Sequence, residues 1–222
     1  MSEFKKEIIK DYKALIMDLD GTVLDSMKVW NEVDEIFLRK RGFEVDEEYT
    51  NTVKSCSMRQ SAEYTVKRYN LSETPEEVIA EWEATVEEEY RSKIKLKKGV
   101  YEFLHYAKEQ GLKITSATAL ARKNAVAALK NNNVYELFDN ITTLDDVDIE
   151  INKFEPDIFL IASEKVGAKS SEAIVFEDVK GAIEGAAKGG FKTVLVYDDI
   201  SAIYFEEASK MADHVIRDWT LI

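Results

Sequence analysis

The sequence has little cysteine, little histidine and no long apolar run. Its 222 residues include a single cysteine, Cys56, so an intramolecular disulfide is impossible. The two histidines, His105 and His214, lie far apart in sequence, and we expect each to be a surface or packing residue. No stretch approaches the roughly 18 consecutive apolar residues of a membrane-spanning helix. These shortages argue against a disulfide scaffold and against a helical membrane anchor.

Basic residues are outnumbered as well. Lysine and arginine total 30 against 43 acidic residues, which gives a formal net charge of −13. A chain this acidic has no general attraction for nucleic acid or anionic membranes, so we expect neither as a partner. A phosphorylated substrate would need local cations, either a metal ion or a few placed lysines. The first residues, MSEFKKEIIKDYK, lack the apolar segment of a secretory signal, and a soluble cytoplasmic protein is expected.

Four short apolar runs end in polar residues, which is the pattern of buried parallel strands. These runs are residues 14–17, 112–117, 173–176 and 193–197. Helical periodicity separates or follows them, in residues 100–110, 122–131, 156–166 and 181–188. The alternation predicts an α/β fold, with a Rossmann-like parallel sheet and helices on both of its faces. Ligands of such sheets bind at the carboxyl ends of the strands, where the polar residues stand.

Residues 27–95 have a different pattern. They show long, charged, helical periodicity without any apolar strand of the buried type, and the predicted helices are 29–40, 57–69 and 75–92. Pro75 stands where a helix can begin. We therefore predict a small all-helical domain at 27–95, inserted into an α/β core formed by residues 1–26 and 96–222.

Asp18 and Asp20 follow the first predicted strand. Gly21 permits a bend there, so the two carboxylates can converge on one point. Close carboxylates repel each other and raise one pKa, which suits a nucleophile paired with a general acid. An Asp-Gly turn with solvated aspartates is about as common an explanation of such a segment.

Glu177 and Asp178 end another predicted strand. An acidic pair of this kind offers the hard oxygen ligands that Mg²⁺ prefers, but it could also cap the helix that begins near Gly181. Two acidic clusters at the ends of two parallel strands favour the metal site, because several carboxylates at one sheet edge need a cation.

Two further residues could bind an anion. Thr118 follows the second strand and precedes a helix, so its hydroxyl can hold an anion, act as an N-cap, or do both. Lys153 precedes another helix and could offset the charge of a nucleophile and a phosphate, although most lysines are simply solvated.

Taken together, these residues resemble the haloacid dehalogenase superfamily, and most closely its subgroup of β-phosphoglucomutase-like phosphatases. The first family motif is matched over its full length by residues 18–26, DLDGTVLDS. Thr118 matches the hydroxyl of the second motif, although Ala119 follows it where the family commonly has Asn or Ser. All four motifs occur in order between about residues 12 and 198.

The third and fourth motifs each depart from the family pattern at one position. Lys153 and the Pro-Asp pair at 156–157 match the third motif, but Phe154 replaces its usual first proline. The fourth motif is matched by residues 175–178 through Gly181 and by the glycine pair at 189–190, where the first glycine replaces the usual alanine.

The resemblance implies a role for each site residue. Asp18 would attack phosphorus and form an aspartyl-phosphate, and Asp20 would protonate the leaving oxygen and then activate water. Mg²⁺ would be held by Asp18, the backbone carbonyl of Asp20, Asp178 and, directly or through water, Glu177. The transferring phosphoryl group would be held by Thr118, Ala119 and Lys153. Residues 27–95 would form the family's helical cap, which is expected to open and close over the site.

Three alternatives to a phosphatase are each weighed by the residue at one position of the sequence. Asp20 supplies an acid that a leaving ester oxygen needs and a leaving halide does not, so phosphoryl transfer is favoured over dehalogenation. In the related sugar phosphomutase a cap histidine follows the nucleophile by twelve residues, whereas this chain has Trp30 there. A phosphatase is therefore favoured over a β-phosphoglucomutase-type mutase. A non-catalytic binding protein is least favoured, because the nucleophile Asp18 is present.

The expected partner is a small phosphorylated metabolite, either a sugar phosphate or a nucleotide monophosphate. Residues 54–59 of the helical insert contain basic side chains, and Arg59 could clamp a second anionic group of the substrate. Arg59 is equally well explained as a solvated helix residue. The expected assembly is a monomer or a weak dimer.

Overall fold

Six parallel strands form the central sheet: β1 (Ser2–Glu3), β2 (Ala14–Met17), β3 (Lys113–Ser116), β4 (Ala173–Glu177), β5 (Lys192–Val196) and β6 (His214–Ile216). Their order across the sheet is β1-β6-β5-β4-β2-β3. The computed structural model describes residues 2–53, 56, 58–146 and 153–222, without the side chains at positions 2, 3, 30 and 31. The predicted basic segment therefore falls partly outside the described residues, as does the side chain of Trp30.

The strand register places two strand ends beside β2. Met17, the last residue of β2, is level with Phe176 of β4 and with Ser116 of β3. The chain leaves β2 for β3 on one side and returns to β4 on the other, so β2 lies at the point where the strand order reverses. Ligands of open α/β sheets bind at such a point, at the carboxyl ends of the strands.

Helices cover both faces of the sheet. They are α5 (Val100–Glu109), α6 (Arg122–Asn131), α7 (Asp157–Lys165), α8 (Lys180–Lys188) and α9 (Phe205–Ser209). On one face, Ile16 and Val175 pack in a buried cluster with Phe159 of α7 and Ala186 of α8.

Phe176 points to the opposite face from its neighbour Val175, because side chains alternate along a strand. Its ring packs 5.5 Å from that of Phe103 in α5 and 5.8 Å from that of Trp219, measured between centroids. Since the sheet is parallel and both of its faces are packed, the predicted fold class is confirmed.

The remaining helices form a second compact unit, Lys28–Lys93, apart from the first unit of Met1–Met27 and Ile94–Ile222. These helices are α1 (Val29–Arg39), α2 (Glu47–Val53), α3 (Met58–Tyr69) and α4 (Pro75–Ser92). The start of α4 agrees with the prediction: Thr74 accepts a hydrogen bond from the Glu77 amide, the Glu77 carboxylate accepts one from the Thr74 amide, and Pro75 follows. None of the helices in the described residues combines the length and apolarity of a bilayer crossing.

Sequence periodicity did not predict the shortest elements. The strands β1 and β6 contain two and three residues, and α2 contains seven, so each is too short to show a period. The longer elements lie within one or two residues of their predicted bounds, and α4 and α6 match those bounds.

Candidate active site

Asp18, Glu177 and Asp178 converge at the carboxyl end of the sheet. Asp18 follows β2 directly, and its amide donates to the carbonyl oxygen of Phe176 at 2.9 Å, which continues the ladder between β2 and β4. One carboxylate oxygen from each of the three residues lies within 4.8 Å of the other two. All three side chains are buried, Glu177 completely. The strand register therefore places three acidic groups where little water can separate them.

Lys153 supplies a positive charge to this cluster. It stands four residues before α7, and its ammonium contacts the carboxylates of both Asp18 and Glu177. The Lys153 side chain is only 11% exposed, so these ion pairs are largely screened from solvent. One lysine against three carboxylates leaves two formal negative charges when all are ionised, which a single divalent cation would balance.

Burial dominates the electrostatics of the three carboxylates. It raises the pKa of Asp18 and of Glu177, even though the Lys153 ammonium opposes that rise. Burial, assisted by the charge of Asp18, also raises the pKa of Asp178 to about 6. The pKa of Lys153 is raised: burial alone would lower it, but the two carboxylates outweigh that effect. The cluster thus holds its negative charge at a free-energy cost that a bound cation would relieve.

Asp20 lies in the tight turn after β2, where it forms an isolated bridge with Leu24. The carbonyl oxygen of Leu19 accepts hydrogen bonds from the amides of residues 22, 23 and 24, which closes a tight loop. The hydroxyl of Ser26 donates to Asp20 Oδ1 at 2.5 Å and fixes that carboxyl group. Burial is the main cause of the raised pKa of Asp18, and the charge of Asp20 makes only a minor contribution to it.

Gly21 has a structural reason to be glycine. Its φ of +79° lies in the left-handed region, and a Cβ at this position would stand 2.5 Å from Asp178 Oδ2. The bend predicted at Gly21 is thus confirmed. Because Gly21 has no side chain, the segment of Asp18 and Asp20 can approach Asp178 more closely than any other residue at position 21 would allow.

Asp178 and Glu177 are held by hydrogen bonds from nearby loops. The hydroxyl of Ser201 donates to Asp178 Oδ2, and Thr22 Oγ1 lies 3.5 Å from Asp178 Oδ1. The amide of Val179 donates to Glu177 Oε2 at 2.8 Å. Val179 is the N-cap residue of α8, so the acidic pair stands just before the helix, and Glu177 accepts a hydrogen bond from the N-cap amide.

Thr118 lies beside the end of β2, since the amide of its neighbour Ala117 donates to the carbonyl oxygen of Met17 at 3.0 Å. Its buried hydroxyl accepts a hydrogen bond from the Leu120 amide at 3.1 Å. Thr118 is not a helix N-cap, because that position of α6 belongs to Ala121. Ala119 is exposed.

Arg59 lies in the other unit, on α3. Its guanidinium pairs with Glu63 at 3.1 Å and with Glu76 at 2.9 Å, and its side chain is 62% exposed. These surface pairs already engage the group that would clamp a substrate anion.

Sequence reasoning missed Ser201 as a partner of Asp178. Ser201 begins a short 3-10 helix after β5, Ser201–Tyr204, where no sequence pattern marks it, and only the fold brings it to the acidic cluster. Ser26 had a signal, because it closes the first family motif, but its bond to Asp20 could not be read from the chain.

The comparison with known families decides the membership of this chain. The sequence profile of the haloacid dehalogenase-like hydrolases matches residues 15–196. The chain belongs to this family. YhcW of Bacillus subtilis is 30% identical to it over 198 residues, which cover 88% of each chain. These matches confirm the expected family and the expected class of enzyme, a hydrolase of phosphate esters.

Two further proteins are similar to this haloacid dehalogenase-like hydrolase. A phosphorylated carbohydrates phosphatase of Thermotoga maritima is 21% identical over 182 residues, or 82% of this chain and 83% of that one. The crystal structure of β-phosphoglucomutase from Clostridium difficile superimposes with a TM-score of 0.68 at 22% identity, covering 95% of this chain and 93% of that one. The latter likeness shows a shared fold.

Proposed function

We propose that this protein is a Mg²⁺-dependent phosphatase that hydrolyses a small phosphorylated metabolite through an aspartyl-phosphate on Asp18. The observation that carries the proposal is the buried convergence of Asp18, Glu177 and Asp178 around the ammonium of Lys153. A nucleophilic carboxylate, further acidic ligands and a fixed cation at one sheet edge are the groups that phosphoryl transfer to an aspartate requires.

The donor set fits Mg²⁺. Mg²⁺ takes oxygen ligands, and three buried carboxylates with raised pKa values gain most from a divalent cation. We assign Asp18, Asp178 and the backbone carbonyl of Asp20 as ligands, with Glu177 as a ligand directly or through water. When bound, the ion would neutralise charge on the transferring phosphoryl group and favour the ionised, nucleophilic form of Asp18.

The first half of the reaction uses Asp18 and Asp20. A carboxylate oxygen of Asp18 attacks phosphorus, and the bond between phosphorus and the ester oxygen breaks. The Asp20 carboxyl group gives its proton to that leaving oxygen, so an alcohol departs. The hydrogen bond from Ser26 holds Asp20 in one orientation for this transfer.

The second half returns the enzyme to its starting state. The ionised Asp20 takes a proton from water, and the water oxygen attacks phosphorus. The bond between phosphorus and Asp18 breaks, inorganic phosphate leaves, and Asp20 again carries a proton. Throughout, Lys153 offsets negative charge beside Asp18, while Thr118 and the backbone at Ala119 hold the phosphoryl oxygens.

The substrate is proposed as a sugar phosphate or a nucleotide monophosphate. The similarity to a phosphorylated carbohydrates phosphatase supports the first of these classes. We assign the helical unit, Lys28–Lys93, as the cap domain that selects the leaving group, with Arg59 available to a second anionic group after release of its surface carboxylates.

The test is phosphate release from a panel of sugar phosphates and nucleotide monophosphates, with Mg²⁺ and with EDTA. We expect release only with Mg²⁺, and a loss of at least about a thousandfold in Asp18→Asn. A wild-type rate in that variant would exclude Asp18 as the nucleophile. Conversion of β-glucose 1-phosphate with little phosphate release would instead identify a mutase, which the β-phosphoglucomutase fold also accommodates.

A further inference from the structure

Phe154 follows Lys153 and stands where the family's third motif usually has a proline. Its ring rests on α8 at Gly181: a Cβ at Gly181 would lie within 2.5 Å of the ring carbons Cδ1 and Cε1. Real Cβ atoms are essentially never closer than 3.0 Å to a non-bonded heavy atom of a residue that is distant in the chain. Phe154 is 49% exposed, so a residue other than glycine at position 181 would displace this ring from α8.

The backbone of the same segment lies on α8 one turn further along. A Cβ at Gly185 would stand 2.5 Å from the carbonyl oxygen of Lys153 and 2.8 Å from the carbonyl carbon of Phe154. The ammonium of Lys188 then donates to the Phe154 carbonyl oxygen at 3.1 Å. Positions 181, 185 and 188 share one face of the helix, so one side of α8 holds the peptide that carries Lys153.

Neither glycine is needed for the conformation of the helix. Both lie inside α8, and neither has a positive φ. Glycine inside a helix is less favourable than alanine, because it loses more conformational freedom on folding. The close approach of the Lys153 segment therefore explains both positions.

We propose that Phe154, Gly181 and Gly185 are positioning residues for Lys153. A proline fixes its own φ and restricts the residue before it, which would immobilise the lysine backbone. Phe154 lacks both restraints, and the seating of its ring and peptide on the two glycines replaces them. Lys153 is thereby held where its flexible side chain reaches Asp18 and Glu177.

The expected effect on kcat rests on the proposed phosphatase function, but the contact between Phe154 and Gly181 does not. The test is a double-mutant cycle of wild type, Gly181→Ala, Phe154→Ala and the double variant, with Glu184→Ala on the same helix as a control. Tm without substrate reports the contact, and kcat and KM for phosphate release report the position of Lys153.

We expect Gly181→Ala to lower Tm, although alanine favours helices, and to lower kcat by about 10- to 100-fold with a smaller change in KM. The double variant should recover to near the values of Phe154→Ala, because removal of the ring removes the clash. Glu184→Ala should leave kcat unchanged. If Gly181→Ala does not fold, folding of the double variant supports the contact.

Additive Tm changes in the cycle, or a double variant as impaired as Gly181→Ala, would overturn the proposal. So would an unchanged kcat in Gly181→Ala. If wild type itself releases no phosphate with Mg²⁺, the proposed function fails. The Tm cycle then still decides the contact, with coupled changes supporting it and additive changes overturning it.

Discussion

The ammonium of Lys153 contacts the carboxylate of Asp18, although 135 residues separate the two in sequence. The same ammonium contacts Glu177, at the end of the neighbouring strand. Removing one partner of a buried ion pair leaves uncompensated charge, whereas a surface pair contributes little to stability. The structure contains both kinds of pair, so the difference between them can be measured within one protein.

Replacing Lys153 with Met should therefore destabilise the metal-free protein. We expect a loss of about 3 kcal/mol in the free energy of unfolding, or roughly 6–12 °C in Tm, measured in EDTA. The matched control is Lys13→Met, since Lys13 pairs with Glu172 at 2.6 Å but is 68% exposed. That control should change stability by less than about 1 kcal/mol. Equal losses of unfolding free energy in the two variants would mean that the ion pairs of Lys153 do not behave as buried ion pairs.

Asp178 provides a test of the metal site that does not depend on activity. A ligand that binds only the folded state at 100 times its Kd adds about 2.7 kcal/mol of stability, or roughly 5–11 °C in Tm for a chain of this size. We expect Mg²⁺ to raise the Tm of wild type by this order, and to raise that of Asp178→Asn much less.

The metal-free Asp178→Asn protein should be as stable as wild type or more so, because one buried carboxylate has been removed from a repelling cluster. Glu184→Gln, a partly exposed carboxylate on α8, should retain the full response to Mg²⁺. A full response in Asp178→Asn would exclude that residue as a ligand.

Asp139 lies outside the candidate active site, and its ionisation should make the stability of the protein depend on pH. Burial alone would raise its pKa, but hydrogen bonds from Lys108, Lys113 and the Ile114 amide outweigh it and lower the pKa to about 2. A pKa lowered by folding stabilises the protein above the unfolded value of 3.8, and that stability is lost as the pH falls towards 2.

Asp139→Asn should therefore lose on the order of 1 kcal/mol at pH 7, because the residue is exposed and solvent screens its charge interactions, and the difference from wild type should shrink between pH 4 and pH 2. Urea unfolding at pH 7, 5, 4 and 3 measures it. A difference that stays constant down to pH 3 would point to lost packing rather than to the carboxylate charge.

The acidic part of the site could be predicted from sequence because strand ends mark it. Asp18 and Asp178 each follow a short apolar run, and parallel strands bring their carboxyl ends to one edge. The contacts that hold these groups could not be predicted. Ser201 reaches Asp178 only through the path of the chain after β5, where a single 3-10 turn is too short to show a periodicity.

The exchange of proline for Phe154 shows a second limit of sequence reasoning. In the sequence, Phe154 is a simple departure from the third motif, and Gly181 is a glycine of the fourth motif. Only their contact explains both, because it depends on how the segment before α7 lies on α8. The ion pair of Arg59 with Glu76 could not be predicted for the same reason. It joins α3 and α4, and the sequence does not reveal how these two helices pack.

Gly21→Ala tests the close approach of the two acidic segments. The substitution combines a left-handed φ, which costs about 1–2 kcal/mol for a residue with a Cβ, with a collision between that Cβ and the Asp178 carboxylate. Gly111 is the matched control, because its φ of +81° is nearly the same and no atom lies within 4 Å of its added Cβ. We expect Gly111→Ala to lower Tm by roughly 2–8 °C while the response to Mg²⁺ is preserved.

In Gly21→Ala the Asp178 carboxylate must move, since the added carbon would stand 2.5 Å from its oxygen and the backbone is held by the hydrogen bonds to Leu19. The Mg²⁺-induced rise in Tm should therefore fall well below that of Gly111→Ala, and phosphate release should fall with it. Equal responses to Mg²⁺ in the two variants would show that the position of Asp178 does not depend on Gly21, and that only the left-handed turn requires glycine there.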